Sequence, residues 1–197
     1  MKFNQYFAFT LSEVLITLAV VGVVAALTLP SVINKAQMLV LKNQYKRVYR
    51  NYSNALQKYI IDNDGIPNCT YGGGIYGPDC KIFYTKFINQ LKYVKHCNGN
   101  AQEGKCIPEY KHYATSSACT GFSENKMKNN SRVWILNDGS IFITYNTGDM
   151  PIFAVDVNGM KGPNKSGYDL FSFGIYKKGD TAILNRAYCI DVEPGGF

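Results

Sequence analysis

The hydrophobic pattern opens with one uninterrupted block. From Val14 to Ile33 the chain carries 20 consecutive residues without a charge. As a helix, at about 1.5 Å per residue, such a block covers about 30 Å, the thickness of a bilayer's hydrocarbon core. It exceeds the apolar core of a secretory signal peptide, about 7–15 residues, and no small-x-small cleavage site closes it. The pattern then changes to a period near 3.6. Met38, Leu41, Tyr45, Val48, Tyr52, Ala55 and Tyr59 step by three and four onto one stripe, with Tyr49 and Leu56 at its edge. Lys42, Lys46, Arg47, Arg50 and Lys58 fall on the other face. No proline or glycine interrupts the stretch from Ser31 to Asp64. Together these patterns predict a single helix from about Thr10 to Ile61, apolar all round in its first half and amphipathic in its second.

Beyond it, Asn63 to Asp79 is rich in turn residues and holds a triple glycine. No Lys-Ser/Thr pair follows that triplet, so it is not a phosphate loop. Lys81 to Val94 places Phe83, Phe87, Leu91 and Val94 on one side and predicts a short helix. Residues 95–131 are polar and hold three cysteines, which predicts irregular structure stapled by disulfides. The period then becomes two. Arg132 to Asn146 reads as a hairpin around Asn137-Asp138-Gly139. The stretches "PIFAVDVNG" and "DLFSFGIYKKG" predict two more strands, and "TAILN" a weaker fifth. A long helix followed by an antiparallel sheet is an α+β arrangement in which the helix stripe covers one sheet face.

Charge and cysteines refine this picture. Twenty-one Lys and Arg stand against 14 acidic residues, a net charge of +7. The balance attracts anionic partners without naming one. The interleaved "YKRVYRNY" admits a nucleic-acid partner, but its tyrosines take the core side and its cations the solvent side, so the core reading is preferred. Cys69, Cys80, Cys97, Cys106, Cys119 and Cys189 all follow the apolar block. Their even number favours disulfides in an oxidising compartment, with the pairing left open. A zinc site of Cys97, Cys106, His112 and Cys119 is the lesser reading, because no CxxC pair is present. The basic residues after the block oppose an outside location by the positive-inside rule. The cysteines favour it, since six thiols in the cytoplasm have no evident task. No nucleophile elbow, zinc-protease motif or dinucleotide fingerprint appears, and an enzyme is not expected.

Glu13 is the odd residue, a carboxylate at the lip of the greasy block, where an unpaired charge is costly. The string Ala8-Phe9-Thr10-Leu11-Ser12-Glu13 ahead of an apolar helix resembles the signal of type IV pilins and type II secretion pseudopilins. That resemblance implies cleavage by a prepilin peptidase between Ala8 and Phe9, methylation of the new N-terminus, and a pilin-like fold. It also assigns assembly roles to Glu13, Gly22 and Pro30, all at positions matching the family pattern. Two departures are that Ala8 stands where glycine is usual and that the leader is sparsely basic. In the family the carboxylate is thought to pair with a neighbour's N-terminal amine. Two charges costly in an apolar bundle then neutralise each other and fix the register.

The domain expectation is a leader at 1–8, a membrane and assembly helix at 9–33, its amphipathic continuation at 34–62, and an extracytoplasmic head at 63–197. The partners implied are other pilin or pseudopilin subunits, the prepilin peptidase and the cytoplasmic membrane. The loop "DVNGMKGPNKSGYD" offers Asp156, Asn158 and Asp169 as oxygen ligands. Its twelfth position is Gly167, so it is not an EF-hand. It resembles the glycine- and Asp-rich loop of major pseudopilins, which can hold calcium. The preferred alternative is a tight loop whose Asp and Asn cap their own backbone. The functional expectation is a filament subunit. Its rivals are a DNA-binding competence pilin and a membrane-anchored binding module that never polymerises.

Overall fold

A computed structural model describes residues 10–71, 78–110, 120–187 and 189–190. The chain divides into two compact units, residues 1–40 and 41–197. Helix α1 (Leu11–Asp62) contributes to both, and it continues through Pro30. The expected helix bounds hold to within a residue at either end. At its C-terminal end, the Gly65 N–H donates to the Ile60 carbonyl at 3.0 Å, and Asp64 takes a positive φ of 51°. This is how a helix satisfies its last carbonyls and turns away.

In the second unit α1 buries Leu41, Val48, Tyr52, Ala55, Leu56 and Tyr59. The stripe read from the sequence is therefore the packing face; of the two residues expected at its edge, Leu56 is fully buried and Tyr49 is 39% exposed. Helix α2 (Pro78–Leu91) packs beside it through Phe83, Tyr84, Phe87 and Ile88. The two helices cover one face of a six-stranded sheet with order β1-β2-β3-β4-β5-β6. The strands are β1 (Tyr93–Asn98), β2 (Arg132–Leu136), β3 (Ile141–Thr144), β4 (Ile152–Asp156), β5 (Leu170–Lys178) and β6 (Thr181–Arg186). Every neighbouring pair is antiparallel. The α+β expectation is met.

Side chains alternate across the sheet. Trp134, Phe142, Phe153, Phe171 and Phe173 face the helices. Val133, Ile141, Ile143, Ile152 and Ala154 face the opposite way. Tyr52 stacks at 6.0 Å on Phe142 and 5.9 Å on Phe153, and those two stack on each other at 4.6 Å. The opposite face is buried as well, beneath Ala101, Cys106, Ile107, Phe122 and Met127. The helix stripe covers one sheet face, as expected, and short segments cover the other. Burial on both faces gives the centre strands nearly continuous apolar runs.

Two further corrections concern the middle of the chain. The short helix expected over Lys81 to Val94 stops at Leu91, because Lys92 adopts a positive φ of 57° and ends it. Val94 is 69% exposed on β1, not part of a buried helical face. Residues 95–131 are not wholly irregular. They complete β1 and include a 3-10 turn (Thr120–Phe122) and helix α3 (Glu124–Asn129).

Candidate assembly and processing segment

Helix α1 begins with a reciprocal cap. The Thr10 N–H donates to Glu13 Oε2 at 2.8 Å, and the Thr10 hydroxyl donates to the same oxygen at 2.7 Å. The Glu13 N–H donates back to Thr10 Oγ1 at 3.3 Å. This is a capping box, which satisfies two of the amides a helix start leaves orphaned. The carboxylate also faces the positive end of the helix dipole. Within its own chain Glu13 thus has a partner, and its Oε1 makes no hydrogen bond among the described residues. Ala8 and Phe9, the expected cleavage pair, lie outside the described residues.

The helix that Glu13 opens is apolar and open on every side in the first unit. Leu15, Val21 and Leu27 are 59%, 63% and 76% exposed. A helix that is hydrophobic all round requires burial elsewhere, in a bilayer or among other helices. By length and composition it suffices to cross a membrane. Its two threonine hydroxyls are satisfied internally. The Thr17 hydroxyl donates to the Val14 carbonyl at 2.9 Å and the Thr28 hydroxyl to the Val24 carbonyl at 2.9 Å, as an apolar surrounding demands. A Cβ at Gly22 would meet no atom within 4 Å, so within one chain nothing calls for glycine there. Pro30 lacks the N–H that would bond one turn back, and the helix absorbs the gap.

Cys69 pairs with Cys80 and Cys97 with Cys106. Cys189 is disulfide-bonded too, and Cys119 lies outside the described residues. The Cys97–Cys106 bond consumes two of the four proposed zinc ligands, so the zinc reading fails. His112 also falls outside the described residues.

The Asp156–Asp169 loop shows the expected backbone caps. Asp156 Oδ1 accepts the Asn158 N–H at 3.2 Å and the Gly159 N–H at 2.8 Å. Asp169 accepts the Asn164 N–H at 2.6 Å and the Lys165 N–H at 2.7 Å. Gly159 has a positive φ of 68°, and a Cβ there would collide with the Gly139 carbonyl, so the loop needs glycine at this point. Both carboxylates are fully buried. Burial, followed by the Asp169 charge, pushes the Asp156 carboxyl well up, against the pull of the Asn158 and Gly159 amides and the nearby Tyr110 hydroxyl. Burial pushes Asp169 up as well, against its amide donors. The caps leave oxygens over. Among the described residues, Asn158 Oδ1 and Asn164 Oδ1 are buried without a hydrogen bond, and Asp156 Oδ2 is buried near the Tyr110 hydroxyl. Asn164 is the residue that sequence reading missed. It stands inside the quoted motif, but only the fold shows that its amide oxygen is buried.

No curated protein and no solved structure matches the chain. Residues 4–29 match the family model of the prokaryotic N-terminal methylation motif. The matched stretch includes Ala8, Phe9, the capping pair Thr10 and Glu13, and most of the apolar block. The chain therefore carries the prepilin signature of type IV pilins and pseudopilins, whose members are substrates of prepilin peptidase and assemble with other pilins.

Proposed function

We propose that the chain is a structural subunit of a pilus-like filament, either a type II secretion pseudopilin or a type IV pilin. In this reading the peptidase cuts between Ala8 and Phe9 and the Phe9 amine is methylated. The apolar half of α1 first resides in the cytoplasmic membrane with the head outside, and then packs among the equivalent helices of other copies. The observation that carries the reading is the capped Glu13 at the mouth of a helix that is apolar on all sides and unburied in a single chain. Packing within a bundle buries that helix, and a neighbour's amine meets the Glu13 charge, which Thr10 caps without neutralising. The disulfides support an outside head. Co-expression with a prepilin peptidase tests the first step: the chain shortens by its first eight residues, and a chain that stays full-length contradicts the reading.

The same reading gives the Asp156–Asp169 loop a hard cation, with calcium as the candidate. Asp156, Asn158 and Asp169, joined by Asn164, supply the oxygens that would hold it, and two buried carboxylates gain the positive charge they lack. The cation would fix the loop against the β2–β3 hairpin. Calcium is expected to raise the melting midpoint of the full-length chain in detergent above its value in chelator, and Asp156→Asn to abolish the difference. Equal midpoints remove the cation and leave the backbone caps as the loop's whole explanation.

A further inference from the structure

Within the second unit, a groove of about 370 Å³ opens between α1, the C-terminal end of α2 and the β2–β3 hairpin. Its walls carry Asn51, Asn54 and Lys58 from α1, Lys92 from the end of α2, and Asn137 and Asp138 from the hairpin. Leu91 adds a half-buried apolar side chain, while Leu136 and Tyr52 lie buried beneath the floor. The groove is held open by backbone. The Asn137 N–H donates to the Lys92 carbonyl at 3.2 Å, which ties α2 to the hairpin.

The polar groups divide into spent and unspent. Asp138 Oδ1 accepts the Ser140 N–H at 3.0 Å and the Ser140 hydroxyl at 2.6 Å, so this acid shapes the turn. Among the described residues, the side chains of Asn51, Asn54, Lys58, Lys92 and Asn137 make no hydrogen bond to another protein group. Three carboxamides and two ammonium groups are thus available. A carboxamide donates and accepts at once, which suits vicinal hydroxyls. The ammonium pair outweighs the single acid and calls for an anion. The exposed part of Leu91 suits contact with the C–H groups of a ring. Base stacking has no platform, because Tyr52 is 2% exposed and already stacked between phenylalanines. The volume lies in the range of small-molecule sites, about 300–1,000 Å³.

We propose that this groove binds an acidic saccharide, its hydroxyls held by Asn51, Asn54 and Asn137 and its carboxylate by Lys58 and Lys92. The proposal is independent of filament assembly and gives the head a ligand of its own.

The test uses the full-length chain in detergent, with glucuronate, glucose and an Asp-Asp dipeptide as probes. Saturation-transfer NMR should show contact with the glucuronate ring protons. Competition should place glucose about tenfold weaker, a difference of about 1.4 kcal/mol. The double variant Lys58→Gln/Lys92→Gln should lose glucuronate about tenfold while keeping its melting midpoint. Should that variant fail to fold, Asn54→Asp, which adds a like charge to the groove wall, is expected to weaken glucuronate and spare glucose. No ring contact at millimolar concentration, equal binding of the dipeptide, or a double variant that binds as well as the parent would overturn the proposal.

Discussion

A carboxylate beside hydrocarbon costs kilocalories unless a partner takes its charge. In one chain Thr10 is that partner, and it is a neutral one. The capping box therefore holds Glu13 in place without setting an opposite charge against it. Glutamine at position 13 separates the two roles, because its amide oxygen can still accept from Thr10. Glu13→Gln is expected to keep α1 and membrane insertion but cut filament yield more than about tenfold, the loss of roughly 1.4 kcal/mol per contact or more. Sheared filaments weighed at equal expression measure it, and a parental yield contradicts the charge-pair account. A second residue-scale prediction concerns His96, stacked at 4.5 Å on Trp134, with the Arg132 guanidinium 4.8 Å from the same ring. Burial, then the Arg132 charge, holds the imidazole below its ordinary 6.5. The unfolded chain then takes a proton first, so stability present above that value falls as pH drops through it. His96→Gln should shrink the fall in melting midpoint between about pH 7.5 and pH 5.5. An unchanged fall would locate the acid sensitivity elsewhere.

Edge strands show how the elements are held. On β6, the Tyr49 hydroxyl donates to the Leu184 carbonyl at 3.1 Å and Gln57 Nε2 to the Ala182 carbonyl at 3.0 Å. Two side chains of α1 thus occupy edge carbonyls that would otherwise be open to pairing. Tyr49→Phe and Gln57→Ala are each expected to cost about 1 kcal/mol in denaturant unfolding of the full-length chain. A zero cost for both would mean the helix does not anchor that edge. The long helix was legible because its two signals, an unbroken apolar block and a 3.6 period, extend over dozens of residues. The β2–β3 hairpin was legible because Gly139, with a φ of 85°, marks its turn chemically. Strand β1 was not, because its pattern is mostly exposed and its register carries a bulge between Tyr93 and Lys95. Only pairing with β2 makes it a strand. The second core was equally hidden. Its residues Ala101, Ile107, Phe122 and Met127 come from short segments without a period of their own.

At the scale of the molecule, each unit has a separate source of stability. Among the described residues, 10–40 include no buried side chain. Residues 41–197 hold two cores, one on each face of the sheet, with staples at Cys69–Cys80 and Cys97–Cys106. Ser172 ties the last described residues to the sheet, donating to the Ala187 carbonyl and accepting the Ile190 N–H at 3.1 Å. The Cys69–Cys80 bridge closes a span of 11 residues. Removing it as Cys69→Ser/Cys80→Ser should cost about 3 kcal/mol by loop-closure entropy, read as a lower denaturant midpoint. A midpoint equal to the parent's would show that the surrounding packing alone fixes the turn. The candidate segment was readable in the sequence down to Glu13, since cost in lipid and motif spacing are both one-dimensional signals. The groove and the buried Asn164 oxygen were not, since only the fold brings their walls together. The central claim is that Phe9 becomes a free N-terminus whose amine meets Glu13 of another copy. Mass spectrometry of the N-terminal peptide, taken from the protein in its own membrane, tests this most directly. The account predicts a peptide that begins at a methylated Phe9. A peptide that begins at Met1, or past Glu13, contradicts it.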